Sequence, residues 1–431
     1  MRNYSQRLNH LIPGGAHTYS RGIDQYPQNA PAILSHGKGC YVWDHRGKKY
    51  LDYGMALRAV TIGYAYKAIA DAAVIQIRKG NNLTRPSLIE LEAAEKITNL
   101  IPCADMVKFA KNGSTITTAA GKLARAYTNR KYVAICLDHS FFSYDDWFIG
   151  SKEMDRGIPE EYKQLTIKFR YNDIGSLERL FHSYPNQIAA VIMEPMVSDE
   201  PQLGYLAEVK HLCKKHGTVF ILDEMITGFR WHLQGAQKYF NVTPDLATFG
   251  KAMGNGFSVA ALVGKREIME LGGILKEGAE RVFLISTTHG AEMCGLGAFV
   301  KTLDIYKKYN VVQHLWDYGK KLKEGVNSIA GSLGISDHFI IKGYPCSPEY
   351  CAKDQDGNSS FAFKTLFAQE MLKQKVLMPW IALSYSHGAK ELAMTLDAAA
   401  KALNIYSKAL HYGIDKYLKG KPVKPVFRKW N

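Results

Sequence analysis

Val219-Phe220-Ile221-Leu222-Asp223-Glu224 is an apolar run ending in two acids, and Leu246-Ala247-Thr248-Phe249-Gly250-Lys251 is another ending in a lysine beside glycine. Runs this apolar are buried on both faces, so they belong in the middle of a parallel or mostly parallel sheet covered by helices. Working outward, residues 106–110, 132–137, 188–193 and 260–263 repeat the pattern, and the segments 117–127, 173–183 and 205–216 between them carry helical spacing. In such an open α/β sheet the ligand sits at the carboxyl ends of the strands. Ahead of this core, 39–53 reads as a hairpin turning at 44–47. Behind it, 294–329 is helical, and 336–403 mixes strand and helix, with the best helices at 361–373 and 389–403. The expected organisation is an N-terminal segment (1–65) packing with a small domain, a large α/β domain (66–305), and a C-terminal α+β domain with a basic tail (306–431).

Composition narrows the class. Of 431 residues, 46% are hydrophobic and 22% charged, and Gly and Pro form no periodic block, which excludes collagen-like, solenoid and broadly disordered chains. The seven cysteines are mostly isolated in apolar stretches and read as reduced, buried thiols. Cys346 and Cys351 lack a second pair at zinc-ligand spacing, so no metal site is expected. The first fifteen residues hold no signal-peptide core, and no apolar run reaches about 18 residues, so the expectation is a cytoplasmic protein that does not enter a membrane. Lys plus Arg outnumber Asp plus Glu by 55 to 40, a surplus suited to anionic ligands. Residues 416–431 hold six basic side chains and no acid. With no nucleic-acid-binding motif in the chain, this tail reads as a strap packing its aromatics, Phe427 and Trp430, on the body.

Three pieces carry chemistry. A carboxylate at Asp223, at the ligand edge of the sheet, holds its charge only against a cation or a protonated ring nitrogen; the plainer alternative is a helix cap for 225–229. Lys251, 28 residues on, is wrapped by Gly250, Gly254 and Gly256. A partly desolvated lysine becomes a nucleophile able to form a Schiff base, whereas a snorkelling surface lysine needs no glycines. Lys111-Asn112-Gly113-Ser114-Thr115 lies between a strand and a helix expected from about Ile116. Its N–H groups can take a phosphate, or its side chains can simply cap the helix. The chain has neither a P-loop nor a dinucleotide fingerprint. A ligand with a phosphate, a basic ring nitrogen and a carbonyl satisfies all three pieces, and pyridoxal phosphate is such a ligand.

With these motifs in place, the sequence resembles the class III (subgroup II) aminotransferases, and within them the glutamate-1-semialdehyde aminomutase group. The resemblance covers nearly the whole chain. It rests on Ile12-Pro13-Gly14-Gly15, 39–52, Gly63-Tyr64-Ala65-Tyr66, Glu194-Pro195, Asp223-Glu224-Met225-Ile226-Thr227-Gly228-Phe229-Arg230, 244–256, 287–290 and 366–379. It implies the fold type I architecture of the aspartate aminotransferase-like transferases, with a large domain on a mostly parallel sheet and a smaller α+β domain. It also implies Lys251 as the internal aldimine and proton shuttle, Asp223 on the pyridinium nitrogen, Met225 under the ring, and Asn112, Gly113 and Ser114 on the phosphate. Glu194 joins the cofactor-binding set. The family's tyrosine-histidine-glycine motif is replaced by Phe141-Phe142-Ser143, which makes Phe141 the ring stacker. Ser286-Thr287-Thr288-His289 resembles the stretch that reaches a partner's phosphate, implying a homodimer with shared sites and Thr287 as the contact. Arg21, with Thr18, falls where aminomutase-like members hold a substrate carboxylate. A tryptophan of the aminomutase is replaced around Leu57, so Leu57 and Arg58 point to a pocket remodelled for an anionic substrate.

The resulting expectation is a pyridoxal-phosphate aminotransferase passing an amino group from an amino-acid donor to a small aldehyde, keto acid or keto sugar, with no nucleic-acid partner. The alternatives are a 2,1-aminomutase, whose gating loop is not recognisable at 149–159, a racemase or epimerase, and a non-catalytic basic binding protein.

Overall fold

Six strands of one sheet run in the same direction and bring their carboxyl ends to a single edge. In the computed structural model, which describes residues 3–139, 141–196 and 199–431, the strands are, in chain order, β1 (Leu34–Lys38), β2 (Tyr41–Asp44), β3 (Lys49–Asp52), β4 (Met106–Ala110), β5 (Tyr132–Cys136), β6 (Thr166–Phe169), β7 (Ile188–Met193), β8 (Val219–Asp223), β9 (Leu246–Phe249), β10 (Ala260–Gly264), β11 (Phe339–Lys342), β12 (Glu349–Ala352) and β13 (Val376–Leu377). The chain separates into two compact units, residues 67–312 with 429–431, and residues 1–66 with 313–428. Met1 and Arg2 of the expected N-terminal segment lie outside the described residues.

The first unit holds a seven-stranded sheet in the order β4-β10-β9-β8-β7-β5-β6. Pairing is parallel from β6 through β9, and β10 alone runs against its neighbours β9 and β4. Every residue of β7, β8 and β9 is buried, as continuous apolar runs demand. Phe169, Val191 and Phe220 of the sheet pack with Leu177, Phe181, Tyr205 and Val209 of the helices Ile174–Ser183 and Tyr205–Lys215. The edge strand β6 is absent from the sequence reading because Thr166-Ile167-Lys168-Phe169, with Lys168 exposed, offers no continuous apolar run. The helix expected from about Ile116 begins at Gly113, capped by Asn112. The helical stretch 294–329 is two helices, Met293–Tyr309 and Val311–Ser332, divided at Asn310 with φ 47°.

The second unit carries the sheet β1-β2-β3-β13 and the pair β11-β12. The hairpin turn at 44–47 forms as read, with Asp44 Oδ1 accepting from the backbone N–H groups of Arg46 and Lys48. The last helix runs Ala389–Tyr412, beyond the expected end at 403. In the C-terminal strap, Lys424 exchanges hydrogen bonds with Asp24 and Gln25, Val423 N–H donates to Thr365, and Arg428 pairs with Asp24 at 2.7 Å. Its aromatics do not both pack: Phe427 is half-buried and Trp430 is 78% exposed, and the strap is held instead by these backbone bonds and by Arg428.

Directly after β3, Met55, Ala56, Leu57 and Arg58 have φ of 40°, 49°, 61° and 67°. This left-handed turn contains no glycine, and each such residue costs about 1–2 kcal/mol. Buried Asp52 holds its start by accepting from Gly54 N–H at 2.7 Å, Met55 N–H at 3.0 Å and Tyr64 Oη at 2.7 Å. Trp380 Nε1 donates to Gly54 O at 3.0 Å, and Arg58 Nη1 donates to Ser347 Oγ at 2.9 Å. Strain of this kind persists where surrounding contacts over-determine the backbone, and it concentrates at functional sites.

Candidate active site

Asp223 is the last residue of β8 and is 2% exposed. Its Oδ1 accepts from Met225 N–H at 2.9 Å and from Thr248 Oγ1 of β9 at 2.9 Å. Burial pushes this carboxyl up from its ordinary value, while those two donors and the charge of Lys251 pull it back. The bond to Met225 closes a turn across 225–230, and no helix forms there, so the helix-cap alternative falls.

Glu224, the other acid, has a different job. Fully buried, it accepts from the backbone N–H groups of Ala236 and Gln237 and from Gln237 Nε2. Burial raises it to about 7 against those donors. Asp223, the last strand residue, bonds to Thr248 of the neighbouring β9, and Glu224, just beyond the strand, pins the loop 225–236.

Lys251 follows the end of β9, is half-buried, and has φ of 43°, a left-handed conformation unusual for a lysine. Met225 joins this strand end to the turn after β4. A Cβ built on Gly113 would lie 3.0 Å from Met225 Sδ, and one on Gly250 would lie 2.7 Å from it. A side chain at Gly250 would therefore displace the methionine sulfur, and one at Gly113 would press on it, so the two glycines leave room for the close passage of Met225.

The turn after β4 opens the sixteen-residue helix Gly113–Thr128, whose first-turn N–H groups have no carbonyl four residues back. Asn112 Oδ1 accepts from Thr115 N–H at 2.9 Å. Ser114, 5% exposed, accepts from Tyr144 N–H at 3.1 Å, and Thr117 Oγ1 donates to Phe142 O at 2.7 Å. These bonds fix the segment bearing Phe141, which is 46% exposed with its ring edge-on to Phe148 at 5.7 Å.

Glu194 follows β7 and is 3% exposed; its backbone N–H donates to His139 Nδ1 at 3.0 Å. Sequence reasoning passed over His139 and Thr248. Burial holds the imidazole neutral, down to about 3. Asp138-His139 follows the apolar run 132–137 at the same sheet edge as the other site residues, and that position was the available signal. For Thr248 the signal was a hydroxyl inside a buried strand, which demands an acceptor.

Thr287 is exposed in the turn 287–290, and Asn82 Nδ2 donates to the adjacent Thr288 O at 3.0 Å. Arg21 and Thr18 belong to the other unit, where both are exposed and the Arg21 charge reaches Tyr26 and Tyr64.

One edge of the sheet thus gathers a buried carboxylate, a strained lysine and a helix start lined by Gly113 and Ser114. That set suits a ligand with a protonated ring nitrogen, a carbonyl and a phosphate.

The family profile described as aminotransferase class-III matches residues 23–337. The 3-aminobutyryl-CoA aminotransferase of Cloacimonas acidaminovorans is 32% identical over 410 residues, spanning 93% of this chain and 95% of that protein. The glutamate-1-semialdehyde 2,1-aminomutase of Syntrophobacter fumaroxidans is 31% identical over 415 residues, spanning 91% and 94%. The FumI protein of Sphingopyxis sp. MTA144, solved as its pyridoxal-phosphate internal aldimine, superposes with a TM-score of 0.86 at 25% identity, covering 95% of this chain and 97% of that one. The chain therefore belongs to the class-III aminotransferases and is a pyridoxal-phosphate-dependent enzyme of that family.

Proposed function

We propose that the enzyme moves an amino group from an amino-acid donor to a small carbonyl acceptor bearing an anionic group. The observation that carries this reading is the placement of buried Asp223 at the end of β8 and of Lys251 just after the neighbouring strand β9, at the carboxyl edge of the sheet. When bound, the cofactor supplies an electron sink for the substrate Cα and a carbon that stores the amino group. Asp223 supplies the fixed negative charge that keeps the ring nitrogen protonated, and Thr248 and Met225 N–H hold its carboxylate still. Lys251 would hold the cofactor through its amine, and that amine, once free, would carry a proton on and off the substrate Cα. The N–H groups of Gly113 and Ser114 would hold the phosphate, with Asn112 shaping that turn, and Met225 and Phe141 would supply the apolar contacts for the ring. Glu194, tied to His139, borders the same edge.

Arg21, with Thr18 beside it, is assigned to the substrate carboxylate. Arg58, carried on the left-handed turn, supports a second anionic group on the acceptor. The similar proteins act on charged substrates, a coenzyme A thioester and glutamate-1-semialdehyde by their names. Seven reduced cysteines, five of them buried, support a reducing, cytoplasmic setting.

Adding single amino acids to the pyridoxal-phosphate-loaded protein without acceptor tests the reaction. A shift of the cofactor absorbance band names the donor; a band that no common amino acid moves overturns intermolecular transfer in favour of internal amino transfer. With the donor known, Arg21→Met is expected to raise KM for a carboxylate acceptor by roughly 10- to 100-fold, the worth of one charged hydrogen bond, with kcat little changed. An unchanged KM removes Arg21 from the substrate site.

We also propose a homodimer in which Thr287 reaches the partner's cofactor phosphate. Ile274 and Leu275, shortly before it, are 74% and 92% exposed, and apolar side chains this bare call for cover. Sedimentation is expected to give a mass of twice 48.3 kDa; a monomer that turns over at full rate contradicts the shared site.

A further inference from the structure

The amino ends of the parallel strands, opposite Lys251, carry an open cleft of about 630 Å³. It is lined by Lys122, Arg125, Arg130 and Lys131, with the amides of Asn129, Asn186 and Gln187 and no carboxylate. A volume of several hundred Å³ is that of a small-molecule pocket. Lys131 immediately precedes β5 and Gln187 immediately precedes β7, so the cleft belongs to the rigid sheet as well as to the end of the helix Gly113–Thr128.

None of the four cations pairs with a carboxylate among the described residues. Each is held by neutral oxygens or a ring face instead. Arg130 Nη1 donates to His216 O at 2.7 Å and Ile188 O at 3.2 Å, Arg125 Nε donates to Lys131 O at 2.9 Å, and Lys122 Nζ donates to Phe283 O at 3.1 Å. Lys131 Nζ lies 4.8 Å from the Tyr132 ring centre. Arg125 is the most deeply set member: its Nη2 is buried with no acceptor among the described residues, burial lowers its proton affinity, and it acts on the cleft through its charge. A desolvated, unpaired guanidinium is costly, and a counter-anion beside it offsets that cost.

A helix C-terminus attracts cations by itself, but one complements its partial charge. Arg130 is occupied in tying β7 to the loop before β8. Lys122, Arg125 and Lys131 remain, three positive charges around one opening.

We infer that this cleft binds the diphosphate group of a small molecule, at a second site remote from the reaction. A diphosphate carries two to three negative charges within a few ångströms and accepts many hydrogen bonds, matching three cations and three amides better than a single carboxylate does.

The test is calorimetric titration of inorganic pyrophosphate into the holoenzyme, whose resident pyridoxal phosphate fills the other phosphate site. Saturable binding with Kd at or below about 1 mM in low salt is expected, weakening as salt is raised. Arg125→Met is expected to weaken it at least about tenfold and Lys131→Gln at least about threefold, both with an unaltered donor half-reaction. If Arg125→Met does not fold, Lys122→Gln combined with Lys131→Gln, on two exposed side chains, tests the same charges and is expected to weaken binding at least as much as Lys131→Gln alone. ADP, titrated likewise, identifies the source: tighter binding than pyrophosphate assigns a nucleotide, and equal or weaker binding assigns a non-nucleotide diphosphate. Absence of saturable binding, or affinities that these variants leave unchanged, overturns the site.

Discussion

Lys251→Ala is expected to fold normally, to hold pyridoxal phosphate by non-covalent contacts alone, and to lose turnover by at least about 10⁴-fold. The magnitude follows from the two roles lost with one amine, carbonyl capture and proton transfer at the substrate Cα, of which the second alone is worth about 10²–10⁴. The surroundings of Lys251 are built by β8, β9 and their glycines rather than by its side chain, so the sheet edge survives the change. Steady-state turnover with excess cofactor, set beside a circular dichroism spectrum and a melting curve, makes the measurement. A folded variant that retains multiple turnovers within tenfold of the parent removes Lys251 from its assigned role.

The second large effect belongs to Asp223→Asn. Asparagine keeps an oxygen able to accept from both Met225 N–H and Thr248 Oγ1, so the substitution removes charge with little change of shape. Loss of the charge on the ring nitrogen is expected to slow proton abstraction by about 10³-fold, the scale of a preorganised electrostatic contact in a dry site, and to weaken cofactor affinity by less than tenfold. The two readouts separate: equal losses in affinity and rate would make Asp223 an anchor rather than an electronic partner.

Stability in the cofactor-free protein supplies an independent check with a definite sign. Burial raises the Asp223 carboxyl above its unfolded value. A group shifted this way contributes stability that is present below the unfolded pKa, near 4, and lost as pH rises through the folded one. The cofactor-free Asp223→Asn protein is therefore expected to melt above the parent, by a margin that widens from pH 4 to pH 7. Saturating cofactor is expected to reverse the order, because only the parent then gains the ion pair.

What could be read from the chain follows from how local each signal is. Strands β7, β8 and β9 were legible because burial on both faces imposes unbroken apolar runs, and the Asp223 and Lys251 positions followed from them. The edge strand β6 interrupts its run with Thr166 and the exposed Lys168, and leaves no such mark. The division of labour between Asp223 and Glu224 was invisible, because it depends on Gln237 and Thr248, which come from separate elements. The left-handed turn at 55–58 had no sequence warning, since it lacks the glycines that ordinarily announce that conformation. His139 was missed because its role rests on a hydrogen bond to a residue 55 positions away.

Met225 makes three distant positions of the chain interdependent. Its sulfur occupies the space that a side chain at Gly113 or Gly250 would need, so three stretches of chain far apart in sequence share one volume. A side chain at Gly250 forces the methionine sulfur aside and one at Gly113 presses on it, so what either position accepts depends on the residue at 225 and its rotamer. Substitutions here are thus coupled, and a laboratory library that samples 113 or 250 one at a time will understate what those positions accept together with a change at 225.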